Sequence, residues 1–231
     1  MTNFNIKIVS DVICPFCYLG KKRLERAIDV YKKSVPGGSE DTFTVTWSPF
    51  YLDPSLPKRG IPVLERMAQR FGADRLEAMN ARMRLMGRAE GIDFTQQGKV
   101  GNTRDAHRLV QLAKTKGLDA QDRVVSELFR SYFEQGGDVT SHEMLVAAAE
   151  KAGLDGAEAR SWLEGEGGGK EVDAEVEEAY REGIHGVPNF TINDRFKIEG
   201  AQDVEAFLEE FIVAKQAAAR SNGASKPGLS C

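Results

Sequence analysis

The hydrophobic pattern of this chain turns from strand-like to helical and back again. Phe4-Asn5-Ile6-Lys7-Ile8-Val9 is an apolar, strand-like run. Leu24, Ala27, Ile28 and Tyr31 then recur at helical spacing until Pro36-Gly37-Gly38 breaks the helix. Thr42-Phe43-Thr44-Val45-Thr46-Trp47 is rich in β-branched and aromatic residues and predicts a second strand. A loop spotted with Pro49, Pro54 and Pro57 follows. The middle is helical in pattern. Pro62 to Gly91 carries helix formers with Met79, Met83 and Met86, whose helical spacing reads as core or a packed groove. After the loop Gly98-Lys99-Val100-Gly101-Asn102, helices are expected around Ala106, Leu109, Val110 and Ala113, and then through Val124 to Phe133. Another begins near Thr140, with Ser141 and Glu143 as caps and Leu145, Ala148, Ala149 and Ala152 buried. Gly167-Gly168-Gly169 is a break before a helix marked by Val172, Val176, Ala179 and Tyr180.

Strands return with Val187 to Ile192, a turn at Asn193-Asp194, and a hairpin partner from Arg195 to Ile198. Val204, Phe207, Leu208, Phe211 and Ile212 give a closing amphipathic helix. Beyond about Lys215 the composition decays to a solvated tail, and no internal repeat is present. The order βαβ, helical block, ββα predicts an α/β chain whose central sheet is split by a large all-α insertion. The expected parts are residues 1–57 and 169–214 for the sheet domain, 58–168 for the insertion, and 215–231 for a flexible tail.

The most informative chemistry is Cys14-Pro15-Phe16-Cys17, set between the first strand and the first helix. A thiol at a helix N-terminus meets unsatisfied N–H groups and the positive end of the macrodipole, which stabilise its thiolate. That thiolate attacks disulfides, and a neighbouring thiol resolves the product. Cys14, at the exposed helix start, is therefore the expected nucleophile, and Cys17, one turn in and more buried, the resolving thiol. Structural zinc is disfavoured: three cysteines and three scattered histidines (His107, His142, His185) do not make a four-ligand set, and no metal is expected. Two unrelated buried cysteines are the bland reading, and Pro15, suited to a first helical turn, argues against it. Cys231 reads as a bystander thiol.

The 231 residues are 41% hydrophobic and 29% charged, the balance of an ordinary globular chain, and a net charge of −4 points to neither nucleic acid nor an anionic membrane. No run approaches the roughly 20 apolar residues of a spanning helix. The first residues lack a basic region followed by an apolar core, so a cytoplasmic, reducing location is expected, where such a dithiol is catalytic more often than structural.

These motifs resemble the DsbA family of thioredoxin-fold oxidoreductases, and within it the cytosolic FrnE-like branch. Cys14 to Cys17 with Tyr18-Leu19-Gly20-Lys21 is similar to the branch's active-site helix. Gly186-Val187-Pro188-Asn189-Phe190 is similar to its cis-proline loop, and Ile198-Glu199-Gly200-Ala201-Gln202 to the turn into its last helix. Asn102 to Leu109 resembles part of its helical insertion. The likeness spans residues 4 to about 213. It implies a DsbA-like thioredoxin fold and a protein-disulfide oxidoreductase, with no bound cofactor. It also implies a cis Val187-Pro188 bond beside the Cys14 sulfur, with the Val187 edge free to pair with an extended substrate. Strongly oxidising DsbA-type proteins carry His where Phe16 stands. An apolar ring offers the sulfur neither charge nor hydrogen bond, so a less oxidising couple is expected.

The same fold family includes glutathione-dependent isomerases and transferases, in which a hydroxyl residue stands at the position of Cys14. This is the alternative reading, with glutathione as thiol co-substrate and Asn102 and Thr103 lining a small-molecule site. A binding or chaperone module without turnover is a third. His185, beside the Gly-Val-Pro loop, is a candidate for tuning the site together with Pro15 and Phe16, whereas His107 reads as a packed helix histidine. The expected partners are protein or small-molecule thiols and disulfides, with the chain a monomer or homodimer.

Overall fold

A computed structural model describes residues 1–223. β1 (Asn3–Ser10), α1 (Pro15–Ser34) and β2 (Thr42–Pro49) form the opening βαβ unit. Two short strands, β3 (Ile61–Pro62) and β4 (Lys99–Val100), pair with each other and bracket α2 (Val63–Phe71) and α3 (Ala73–Ala89). Then come α4 (Arg104–Thr115), α5 (Leu118–Phe133), α6 (His142–Lys151), α7 (Gly156–Glu164) and α8 (Gly169–Arg181). β5 (Asn189–Ile192), β6 (Phe196–Glu199) and α9 (Val204–Gly223) complete the order. The main sheet runs β2-β1-β5-β6. β1 pairs in parallel with β2 from Asn3–Thr42 to Ser10–Pro49, and antiparallel with β5 through Ile6–Ile192 and Ile8–Phe190. This is the split α/β order expected from the pattern, with large helical content, and the thioredoxin-like fold that the resemblance implies.

The core follows from the apolar positions of β1. Phe4, Ile6 and Ile8 are all buried. Phe4 stacks on Phe43 of β2 at 4.7 Å and meets Tyr31 of α1 and Phe211 of α9, each at 5.4 Å, so one ring ties the sheet to both helices. β2 is an edge strand, and α5 covers it: the buried amide of Gln121 accepts from the Trp47 N–H at 3.1 Å and donates to the Trp47 carbonyl at 2.9 Å. Those bonds satisfy backbone groups that a neighbouring strand would otherwise take. Lys21 of α1 reaches Asp122 at 2.8 Å, and Trp47 Nε1 donates to the same carboxylate at 2.9 Å. Among the described residues no helix is long and apolar enough to cross a membrane.

Several elements differ from the pattern. The helical stretch from Pro62 to Gly91 is two helices, because Gly72 adopts a φ of +86° and breaks it. α7 has no counterpart in the expectations, although Asp155 caps it by accepting from the Glu158 N–H at 2.8 Å. β5 begins at Asn189 rather than Val187, where Pro188 has no N–H to give a ladder. Its hairpin loop holds three residues, with Ile192 opposite Phe196 and both Asn193 and Asp194 left-handed. Composition predicts a flexible tail from Lys215, yet α9 continues to Gly223. The reason is that Lys215 is a tertiary anchor, donating to Asp41 at 2.7 Å and to the Pro36 carbonyl at 3.0 Å. Cys231 lies outside the described residues.

Burial alone would raise the Asp41 carboxyl, but hydrogen bonds from Lys215, the Thr2 N–H and Tyr31 outweigh it and hold the group below the usual carboxylate range. A carboxyl lowered in the folded state stabilises at neutral pH, and that contribution is lost as pH falls through the folded value. Asp41→Asn should therefore cost about 1–3 kcal/mol at pH 7 in denaturant unfolding. The gap to wild type should close on acidification below about pH 4. A gap independent of pH would remove the carboxylate from this account.

Candidate active site

β1 delivers the chain to the site, and a tight turn starts the helix. The Cys14 N–H donates to the Asp11 carbonyl at 3.0 Å, Cys14 is the N-cap of α1, and Pro15 takes the first helical position. The Cys17 N–H donates to the Cys14 carbonyl at 3.0 Å, which puts both thiols on the first turn. Both are free thiols here. Contrary to the expected exposed nucleophile, Cys14 is only 2% accessible, close to the 1% of Cys17. The loop before β5 covers it: the Cys14 thiol donates to the Val187 carbonyl at 3.6 Å. Burial pushes the Cys17 thiol well up, and the adjacent Cys14 raises it further, against weaker opposing bonds from Ser10 and the Asp11 backbone. Cys17 therefore stays protonated until something draws its proton away.

The Val187–Pro188 peptide bond is cis. Among the described residues, the Val187 backbone has no hydrogen bond other than the one its carbonyl accepts from Cys14. Pro188 lies against α1 at Gly20, where a Cβ would sit 3.2 Å from Pro188 Cγ and 2.9 Å from the buried Phe190 ring. Behind the dithiol, Asp11 is buried, with Oδ2 accepting from the Leu52 N–H at 2.8 Å. Its Oδ1 lies 3.3 Å from His107 Nε2 but makes no hydrogen bond, because that nitrogen sits on the Phe50 carbonyl at 3.0 Å. His107 is thus a packed histidine joining α4 to the turn before Cys14.

A cavity of about 390 Å³ opens over the dithiol. Its floor comes from Ile13, Cys14, Pro15 and Phe16, with Val187 at one side. α2 and α3 form the opposite wall. The structure thus brings Cys14, Pro15, Phe16 and Val187 to one cavity, with Phe16 43% exposed at its rim. Asn102 and Thr103 are not part of the lining. Asn102 holds the start of α4, its Oδ1 accepting from the Arg104 N–H at 3.0 Å, and Thr103 is buried beneath that turn. His185 is exposed, lies outside the lining and makes no side-chain hydrogen bond among the described residues. Asp11, Asp53, Arg66, Arg70 and Asn80 are the residues at the site that sequence reasoning missed; only the i, i+4 spacing of Arg66 and Arg70 signalled a shared helix face. A depression of about 420 Å³ beside Trp47 lies away from the thiols, over the structural ion pair of Lys21 and Asp122.

The model of the DSBA-like thioredoxin domain matches residues 5–211. The chain belongs to that family. The uncharacterized protein YwbO of Bacillus subtilis is 30% identical over 206 residues, covering 88% of this chain and 93% of YwbO. A probable DsbA oxidoreductase from Streptomyces coelicolor superposes with a TM-score of 0.77 at 30% identity, covering 99% of this chain and 93% of that one. A 2-hydroxychromene-2-carboxylate isomerase shares the fold at 17% identity, with a TM-score of 0.64 and coverage of 96% and 100%. Proteins of this fold therefore carry more than one chemistry.

The Gly20 contact is testable. Gly20→Ala drives a methyl into Pro188 and the rigid Phe190 ring, and should cost about 1–3 kcal/mol in thermal or denaturant unfolding. It should also alter the alkylation rate of Cys14 by displacing the Val187 loop. A fully stable variant with wild-type alkylation kinetics would show that α1 and the loop are not tightly coupled.

Proposed function

We infer that this family member is a thiol–disulfide oxidoreductase in which Cys14 is the nucleophile and Cys17 the resolving thiol. The observation that carries the reading is Cys14 at the N-terminus of α1, on the floor of a cavity and beneath the Val187 carbonyl, with the protonated Cys17 one turn behind. As thiolate, Cys14 attacks one sulfur of a substrate disulfide, forming a mixed disulfide and releasing the first substrate thiol. Cys17 then gives up its proton and attacks the Cys14 sulfur. This closes the Cys14–Cys17 disulfide and releases the second thiol, so two electrons pass from the dithiol to the substrate. Among the described residues the Val187 N–H is unpaired, so it can donate to an acceptor on the substrate. No resident cofactor enters this cycle; a low-molecular-weight thiol such as glutathione serves as co-substrate.

Reduction of a disulfide by the full chain should disappear in Cys14→Ser, whereas Cys17→Ser should stall as a mixed disulfide visible by intact mass. Activity that persists in Cys14→Ser would end this reading. Because Phe16 offers the sulfur no charge or hydrogen bond, the couple should equilibrate below about −180 mV against a glutathione buffer. A value near about −120 mV, that of strongly oxidising relatives, would contradict this.

A glutathione-dependent isomerase or transferase is the second reading, favoured by the apolar cavity over Cys14. Turnover of such a reaction that survives Cys17→Ser separates it from dithiol exchange.

A further inference from the structure

We propose that the cavity over Cys14 takes a small disulfide with an apolar, aryl-like body and a carboxylate, and that this is the substrate class of the dithiol. The proposal rests on the oxidoreductase reading and goes beyond it by naming what enters.

Size and lining come first. A cavity of about 390 Å³ matches small-molecule sites, which are mostly apolar with a few convergent polar groups. Met67, Met79 and Met83 line it together with Phe71 and Phe94. Thioethers and ring edges adapt to an irregular aromatic guest. Access points the same way. Cys14 is only 2% accessible, so a slender disulfide reaches it more readily than one flanked on both sides by folded polypeptide.

Charge is the second feature. Asp53, Arg66 and Arg70 are the charged residues in the lining among the described residues. Burial would raise the Asp53 carboxyl, but hydrogen bonds from Arg66 and Ser55 outweigh this and keep it low, so it is ionised. Two guanidiniums thus face one carboxylate, an excess of one positive charge. Arg66 Nη2 meets Asp53 at 2.5 Å, yet its Nε is buried with no acceptor. Arg70 holds the same carboxylate oxygen only at 3.4 Å and is half-exposed. An incoming carboxylate would accept from the half-exposed Arg70 guanidinium, which Asp53 holds only loosely.

The third feature is Asn80. It is 8% exposed, its side chain makes no hydrogen bond among the described residues, and Oδ1 is buried without a donor. Stranded polar groups of this kind are uncommon and call for an explanation. The amide lies in the methionine wall, where it offers one acceptor and two donors to a polar substituent on the guest. The step balances as above: the dithiol loses two electrons and two protons, and the guest becomes two thiols.

Single-turnover stopped-flow with the reduced full chain tests the proposal. Three probes are compared: the carboxylated aryl disulfide of thionitrobenzoate, uncharged dithiodipyridine and cationic cystamine. Each rate is divided by the rate with dithiothreitol to remove intrinsic reactivity. The anionic aryl probe should lead and the cationic one trail. Arg70→Gln should lower the anionic-to-neutral ratio about tenfold, the loss of one charge-assisted bond. High salt should compress the same ratio in the wild type. Equal normalised rates for anionic and cationic probes, or a ratio unmoved by Arg70→Gln, overturn the proposal and leave the dithiol chemistry standing. A disulfide-bonded unfolded protein that outpaces all three overturns it in favour of polypeptide substrates. If no probe reacts and Cys14→Ser behaves as wild type, the oxidoreductase reading falls with it.

Discussion

Pairing along β1 is the constraint on which the rest depends. This strand takes β2 on one side and β5 on the other, and those partners come from opposite ends of the chain. The Val9–Asn189 pair places the loop before β5 beside the turn that starts α1. Only then can the Val187 carbonyl lie 3.6 Å from the Cys14 sulfur, across 173 positions of sequence. The aromatic cluster of Phe4, Phe43, Tyr31 and Phe211 secures the same strand from the other end, and the Asp41–Lys215 pair joins α9 to the start of β2.

The two thiols are almost equally covered but differently placed. Cys17 is desolvated inside the first turn of α1 and resists ionisation, whereas Cys14 sits where helical N–H groups point and where the cavity begins. Met67, Met79 and Met83 line the cavity that Cys14 opens to, and Asp53, Arg66 and Arg70 are the charged residues of that lining among the described residues.

The local pattern carried much of this. Period and breakers marked the strands, the dithiol helix and the closing hairpin, because side-chain alternation and proline or glycine act over a few residues. It failed where long-range contacts overrode it. α9 outlasts its composition because Lys215 finds Asp41, and β5 starts late because Pro188 gives no ladder hydrogen bond. Asn102 and Thr103 resembled site residues by motif, but their hydrogen bonds and burial serve the start of α4.

The sequence by itself determined that two thiols stand on the first turn of a helix after a strand, in a split α/β order. Those are properties of neighbouring residues. The tertiary structure alone decided that Cys14 is covered rather than exposed, and that Asp11 and His107 meet behind it. It also decided that Asp53, Arg66, Arg70 and Asn80 line the same cavity as Cys14. These groups lie tens of residues from Cys14, and no local period encodes which distant side chains share a cavity once the sheet has closed.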